Sequence, residues 1–526
     1  MFAQTSHGPL TASRPSHKLL AHGPARRWTR ELRRWAVPAL LVLWALLAAA
    51  AAVRVRGFAL DDFFITYRYA WNLLAGNGFV FNPGERVFGT TAPGLGLLLA
   101  AVAGVTRLPI PQAAAAVTAA ALWSIAALLL SEARARGRTA EAAAAGTLVV
   151  TSNFLWVHVG AEGPVSLALL LAAARWGLRR PAAAGLAAGA AVWLRPDAGL
   201  GVALLGLLLW RERRRLPWRF GAVAAPVIAA GLVAARLWFG RWLPATLAAK
   251  RLQAEWMPDI WPSGLAFWGE ALRLLRWLFF GPPVVWFALL GAAGLAALAA
   301  RGGRAHRLLA LHGLAIAVAY PLLGVAFYNW YVIPTVIALV CGAAWGCGWV
   351  ARRVDAFLGG TAGGRLVAAA LVALIAVPTL AELGKRSLAL YFGDGTSARH
   401  DLYRHAGRWL RAHAAPGEAV SYVEVGTIAY YSRRPVYDLL GLVSPQALPW
   451  VERRDLVGGF LAAPTPWLIY DTQLHGFIQP LRDAPWFDAA YREAASFRHR
   501  ANGELLILYR RRPGAELPPP PPARAD

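Results

Sequence analysis

The sequence predicts a mainly α-helical, polytopic membrane protein with a small extracytoplasmic α/β domain at its C-terminal end. Three observations lead there. Of 526 residues, 57% are hydrophobic and only 16% charged, a balance too apolar for a soluble chain of this size. The apolar residues gather in runs of about 17–25, long enough to span as helices. The basic residues fall in the gaps between those runs, as cytoplasmic loops require.

That distribution excludes other classes. A net charge of +26 would suit a nucleic-acid partner, but the basic residues are not gathered on one soluble module, so none is expected. Cys341 and Cys347 lie in one apolar run and read as packing residues, not as a disulfide or metal framework.

Taken in order, residues 1–35 form a basic segment ending in Arg26, Arg27, Arg30, Arg33 and Arg34, placed in the cytoplasm by the positive-inside rule. No small-residue cleavage site stands out from the alanine-rich background, which argues against a cleaved signal peptide. A first span of about 36–53 leads outward. Spanning by the next apolar stretch, about 91–107, would turn the basic run Arg134–Arg138 outward, so it reads as an interfacial or re-entrant helix. Further spans follow at about 111–131, 140–158, 164–178, 182–194, 198–210 and 218–238. An outer loop of some thirty to forty residues comes next, then spans at about 283–300, 306–326, 331–350 and 364–381. The total of about eleven puts the C-terminal end outside.

The division is therefore a membrane domain over 36–384, with its first outer loop and interfacial helix at 54–110, followed by an α/β domain over 385–513. Strand-like fragments at Ala419–Val423 and Trp467–Tyr470 support the latter. The proline-rich end, 514–526, cannot pack as helix or sheet and is expected to be disordered.

In this layout Asp61, Asp62, Arg68, Glu85, Glu162, Arg195, Asp197, Lys250 and Arg251 all fall at outer ends or in outer loops. Acids mixed with Arg and Lys suit a reaction in which a carboxylate takes a hydroxyl proton while cations, or a metal held by the acids, stabilise a departing phosphate. Plainer readings stand beside it. The Asp61–Asp62 pair fits a helix N-terminus, Glu162 a helix start, and Arg195-Pro196-Asp197 a turn with an internal ion pair. Lys250 and Arg251 fit lipid headgroups, and Trp330 and Tyr331 an interfacial aromatic belt.

The stretch Asp61-Asp-Phe-Phe-Ile-Thr-Tyr-Arg-Tyr-Ala70, with Gly76 to Glu85 and Gly89-Thr-Thr-Ala-Pro93, resembles the first outer loop of GT-C superfamily glycosyltransferases. Within that superfamily it is similar to bacterial terminal arabinofuranosyltransferase-like and polyprenyl-phosphate-sugar-dependent mannosyltransferase-like proteins. Gly160-Ala-Glu162, Arg195-Pro-Asp197 and Leu243-Pro-Ala-Thr246 with Lys250 resemble later motifs in order, and Gly426–Ser432 with Arg434–Leu442 resembles the outer domain. Three positions depart: Phe63 stands where a small Ala is usual, Gly163 replaces a Thr, and Ala245 replaces an Asn.

The resemblance implies an integral enzyme of the bacterial cytoplasmic membrane, with its C-terminal domain on the outer face. It implies inverting transfer of a sugar from a polyprenyl-phosphate donor, with a glycan or lipid as acceptor. Asp61 and Asp62 are the catalytic candidates. Arg68, Glu162, Arg195, Asp197, Lys250, Arg251, Trp330 and Tyr331 are candidates for donor-phosphate or substrate contacts. Asp61, Asp62 and Glu162 are the candidate ligands of a divalent cation (Mg, Mn or Ca), the one cofactor considered. A transporter or flippase, a polymerase or ligase of lipid-linked sugars, and a non-catalytic scaffold are the rival classes.

Overall fold

The computed structural model describes residues 24–279, 283–374, 385, 388, 398–499 and 502–521. Most of the basic N-terminal segment, the end of the last predicted span and residues 522–526 of the proline-rich tail lie outside the described residues.

Helices dominate. The chain opens with α1 (Pro24–Arg54), α2 (Asp61–Leu74), α3 (Pro93–Thr106), α4 (Ile110–Arg134), α5 (Thr139–Thr151) and the short α6 (Asn153–Val157). There follow α7 (Glu162–Trp176), α8 (Pro181–Leu194), α9 (Ala198–Arg213), α10 (Trp218–Phe239), α11 (Thr246–Trp256) and α12 (Ala266–Phe279). The bundle ends with α13 (Pro283–Arg301), α14 (Arg304–Leu323), α15 (Ile333–Phe357) and α16 (Ala362–Leu374).

Among the described residues, five stretches are long and apolar enough to cross a membrane: Trp35–Arg54 of α1, α4, α10, α14 and Asn329–Phe357, which contains α15. The other predicted spans coincide with α5, α7, α8, α9, α13 and α16, which are shorter or less continuously apolar. Small residues carry much of the close packing: Ala184, Ala188 and Ala191 of α8 are fully buried where it lies against α7 and α10, as helices packed in lipid favour. The stretch 91–107, expected to be interfacial, forms α3, which packs on α2, α4 and α8.

Two local differences from the sequence reading have physical causes. The predicted span at 140–158 is broken at Ser152, whose backbone is extended. There the indole N–H of Trp156 donates to the Val150 carbonyl at 2.8 Å, satisfying a group the helix has released. The long outer loop after α10 contains α11 and α12; α11 is mixed in polarity and short, so no apolar run announced it.

After the bundle, α17 (Ala398–His413) leads into a five-stranded sheet with α18 (Gly426–Ser432), α19 (Leu448–Glu452), α20 (Leu456–Ala462), α21 (His475–Arg482) and α22 (Phe487–Ala490) around it. The strands are β1 (Val420–Tyr422), β2 (Val436–Asp438), β3 (Trp467–Asp471), β4 (Tyr491–Arg498) and β5 (Leu505–Arg511), in the order β2-β1-β3-β5-β4. β1 runs parallel to β2 and β3, whereas β5 is antiparallel to β3 and β4. Both strand-like fragments read from the sequence lie in this sheet, as β1 and β3. Ala515 and Leu517, in the stretch expected to be disordered, pack against its core.

The sheet domain is fastened to the first outer loop by α2. Asn82 exchanges two hydrogen bonds with the backbone of Val436, at 2.9 and 3.0 Å. Phe64 of α2 packs among His400, Tyr430 and Tyr431. A segment near the start of the chain thus becomes the floor of the C-terminal domain.

Candidate active site

Asp61 and Asp62 occupy the first turn of α2, but neither caps it: the N-cap is Leu60, with no side-chain cap. Asp61 caps another helix. Its Oδ2 accepts from the Gly426 amide at 2.8 Å and its Oδ1 from the Thr427 amide at 2.7 Å. These are the first two amides of α18, whose own N-cap Val425 has no side-chain acceptor. Gly426 is required there, because a Cβ would lie 1.8 Å from the Asp61 carbonyl oxygen. Arg68 holds the other end of α18, donating to the Ala429 carbonyl at 2.8 Å, to that of Arg434 at 3.2 Å, and to Phe81 O at 3.1 Å. Buried and fully engaged, it does not open toward a ligand.

Asp62 faces differently. It lines two small cavities of about 50 Å³ each, one shared with Asp61, Gln253, Tyr328 and Glu424, the other with Thr90, Glu162, Lys250, Trp330 and Tyr331. The Lys250 ammonium lies 3.1 Å from Asp62 Oδ2 and 3.8 Å from the centre of the Tyr328 ring. Burial pulls that ammonium down, but the surrounding Tyr331, Asp62 and Tyr328 outweigh burial and hold it above the ordinary lysine range. It is therefore a fixed positive charge beside Asp62. Phe63, the bulky departure from the small residue of the resembled motif, packs edge-on against Trp330 with centroids 5.4 Å apart.

Glu424 completes the acidic group. Oxygens of Asp61, Asp62 and Glu424 lie within 4.8 Å of one another, and all three residues are half-buried. Burial raises the Asp61 carboxyl above its ordinary value against the pull of the Thr427 and Gly426 amides, and Asp62 adds to the rise. Glu424 is raised well above its ordinary value by burial, then by Asp61. Three hard carboxylates whose oxygens converge in this way form a donor set that fits a divalent Mg, Mn or Ca ion. Glu162, the expected third ligand, is not in that group. Glu424 takes its place, between the strand fragment and the Gly426–Ser432 motif that the sequence had singled out.

Glu162 instead meets Arg195 at 2.9 Å. The Arg195 guanidinium also donates to Asp197 at 2.7 Å and to the Tyr320 hydroxyl at 2.7 Å, and that hydroxyl donates to Asp197 at 2.7 Å. With its side chain only 4% exposed, Arg195 is the centre of a closed network, the internal ion pair that its plainer reading described. Gly160 explains the motif before Glu162: its φ is +85°, and a Cβ would lie 1.7 Å from the Tyr67 hydroxyl. Arg251 is exposed and donates to the Leu323 carbonyl at 3.0 Å, away from the cluster. Trp330 and Tyr331 do reach the cavity beside Asp62.

Thr91 connects this cavity to a larger one. It lines both, and the second, of about 430 Å³, is walled by Trp193, Ile228, Leu232, Trp242 and Leu243 among other apolar groups.

Residues 394–512 match the model of a domain of unknown function (DUF8728). No curated protein sequence matches the chain. Among solved structures, ArnT from Cupriavidus metallidurans, crystallised bound to undecaprenyl phosphate, superposes with a TM-score of 0.54 at 13% identity, over 90% of this chain and 98% of its own. AglB, the archaeal oligosaccharyltransferase from Archaeoglobus fulgidus, solved with an inhibitory peptide and a dolichol-phosphate, superposes with a TM-score of 0.52 at 13% identity, over 90% of this chain and 74% of its own. The mycobacterial arabinofuranosyltransferase AftD aligns at a TM-score of 0.46, too weak to argue from. At these identities the likeness is one of architecture, and it covers 90% of this chain: the fold is the one that the ArnT and AglB structures share.

Proposed function

We propose that this protein is an integral membrane glycosyltransferase that moves a sugar from a polyprenyl-phosphate donor to an acceptor hydroxyl, with Asp62 as the general base. The observation that carries the reading is Asp62 itself: it borders two cavities and stands 3.1 Å from a buried ammonium. Asp61 borders one cavity and spends both oxygens on backbone amides. It acts as a positioning residue.

In this reaction the acceptor hydroxyl lies against Asp62 and gives up its proton to the carboxylate. The hydroxyl oxygen attacks the anomeric carbon as the bond from that carbon to the phosphate oxygen breaks. The electron pair leaves with the polyprenyl phosphate, whose charge Lys250 stabilises. A single in-line displacement inverts the anomeric configuration. Trp330 and Tyr331 offer flat faces to the sugar ring. The apolar cavity beyond Thr91 suits the isoprenoid chain, since its walls are aliphatic and indole groups.

A divalent cation fits the oxygens of Asp61, Asp62 and Glu424, and when bound it would supply further positive charge for the leaving phosphate. The donor sugar in this reading is a pentose such as arabinofuranose, or a hexose. The acceptor is a cell-envelope glycan, lipid or protein on the outer face of the bacterial cytoplasmic membrane. Undecaprenyl phosphate in the ArnT structure and dolichol-phosphate in that of AglB support a lipid-phosphate donor here.

The test is transfer of labelled sugar from polyprenyl-phosphate donors by the full chain in proteoliposomes containing envelope acceptors. Transfer with release of polyprenyl phosphate, lost in Lys250→Met, is the expected result. Movement of the intact lipid-linked sugar across the bilayer, with no cleavage of the sugar–phosphate bond, would identify a flippase and overturn the reading.

A further inference from the structure

The C-terminal end of α18 borders a second, strongly basic cavity. It measures about 350 Å³ and is lined by Arg56, Arg404, Arg408, Arg411 and Arg433, with no acidic residue in its wall. The sequence places three of these at four- and three-residue steps along α17, on one helical face. Only Arg404 has a carboxylate partner among the described residues, Asp401 at 2.7 Å.

Several of these charges are held without a complementary one. Arg433 follows α18 with φ +58°, where glycine is the ordinary choice. Its guanidinium is stacked 3.7 Å from the Trp71 ring and 4.2 Å from that of Tyr430. One nitrogen of Arg433 (Nη1) and one of Arg404 (Nε) are buried with no hydrogen-bond partner. Burial lowers the Arg433 pKa, and neighbouring Arg411 contributes in the same direction. Like charges so assembled repel one another, and an anion between them relieves the repulsion.

The position in the fold identifies the kind of anion. Arg56 lies just beyond Trp35–Arg54, and the lining residues Pro109, Pro111 and Gln112 sit at the start of α4. Both helices are long and apolar enough to cross a membrane, so the cavity falls at headgroup height. Val53, Val105 and Leu108, close by in the chain, expose large apolar side chains, a surface suited to acyl chains.

We propose that this cavity binds the phosphate headgroup of an anionic membrane phospholipid, separately from the Asp62 site, and so seats the C-terminal domain on the bilayer. The guanidinium forks match phosphate oxygens in bidentate geometry, while Val53, Val105 and Leu108 meet the tails. The site needs only that α1 and α4 span the membrane and does not depend on the transfer reaction.

Native mass spectrometry of the full chain, released from phosphatidylcholine nanodiscs doped with phosphatidylglycerol, tests this. The wild type is expected to retain phosphatidylglycerol over phosphatidylcholine, resist its displacement by inorganic phosphate or glycerol phosphate, and release it more readily as salt rises. Retention should fall about ten-fold in Arg408→Gln and in the Arg404→Gln/Arg433→Gln pair. Arg408 is exposed, so its variant is expected to keep the wild-type unfolding midpoint, which separates lost binding from lost folding. Equal retention of the two lipids, unchanged retention in Arg408→Gln, or displacement by free phosphate at concentrations matching the lipid would overturn the proposal.

Discussion

Asp61 and Arg68, two turns apart on one face of α2, hold the two ends of α18: the acid takes its first amides, and the guanidinium takes the Ala429 carbonyl in its last turn and that of Arg434 just beyond. Each charge is complementary to the end of the helix dipole it touches. The loop bearing Asp62 and the domain bearing Glu424 are therefore one rigid unit, with the candidate base fixed at their seam.

Breaking either hold should loosen the seam. Asp61→Ala removes the side-chain cap of α18 and is expected to cost about 1–2 kcal/mol. Arg68→Met leaves the Arg434 carbonyl without its donor and removes the charged donor shared by the Ala429 and Phe81 carbonyls, and should cost about 2–3 kcal/mol or more. Both variants should speed proteolytic cutting between the bundle and the sheet domain, measured in detergent against the wild type.

The Gly426 contact gives a sharper probe. Gly426→Ala puts a methyl group where the Asp61 carbonyl already stands, and overpacking of this kind costs about 1–3 kcal/mol. Thermal unfolding followed in the wild type and the variant should show the drop. Gly417→Ala, where the added Cβ meets nothing within 4 Å, should leave the midpoint nearly unchanged.

Arg195 should behave as a structural cation. Arg195→Met takes the shared guanidinium from buried Glu162 and half-buried Asp197, a change expected to cost about 3–5 kcal/mol. Arg251→Ala removes an exposed side chain and should fall within about 0.5 kcal/mol of the wild type. Unfolding midpoints of the two variants in the same detergent check the contrast.

Asp438 predicts a pH dependence. Its carboxylate accepts from the Leu440 and Val443 amides at 2.9 Å each, yet burial pushes its pKa from 3.8 up to about 6. The folded domain then binds this proton more tightly than the unfolded chain. Its contribution therefore favours folding below the ordinary carboxyl range and is lost as pH rises from about 4 to about 6. That rise corresponds to about 3 kcal/mol. Asp438→Asn should flatten that part of the stability–pH curve, read from thermal unfolding across the window.

The helical architecture was legible because lipid imposes long apolar runs and positive loops, both visible residue by residue. The helix α3 was legible as an apolar run at 91–107. Asp61, Asp62 and Lys250 were recognisable because isolated charges near apolar runs require a partner or a use, and the first two could be ordered with later motifs. What each one touches was not legible. That Asp61 would cap a helix 365 residues away is tertiary information, as is the closed network that takes Arg195 out of reach of a phosphate. Glu424 escaped because it stands alone between two fragments, with no periodicity or spacing to mark it.

The central claim is that Asp62 takes the acceptor proton while Asp61 holds the seam. Single-turnover sugar transfer by Asp62→Asn and Asp61→Asn, each checked for the wild-type unfolding profile and for donor-lipid retention, tests it most directly. The account predicts that Asp62→Asn loses roughly 10²–10⁴-fold in transfer rate with the donor still bound, while Asp61→Asn retains more activity and loses more stability. Wild-type turnover in a folded Asp62→Asn protein would contradict it.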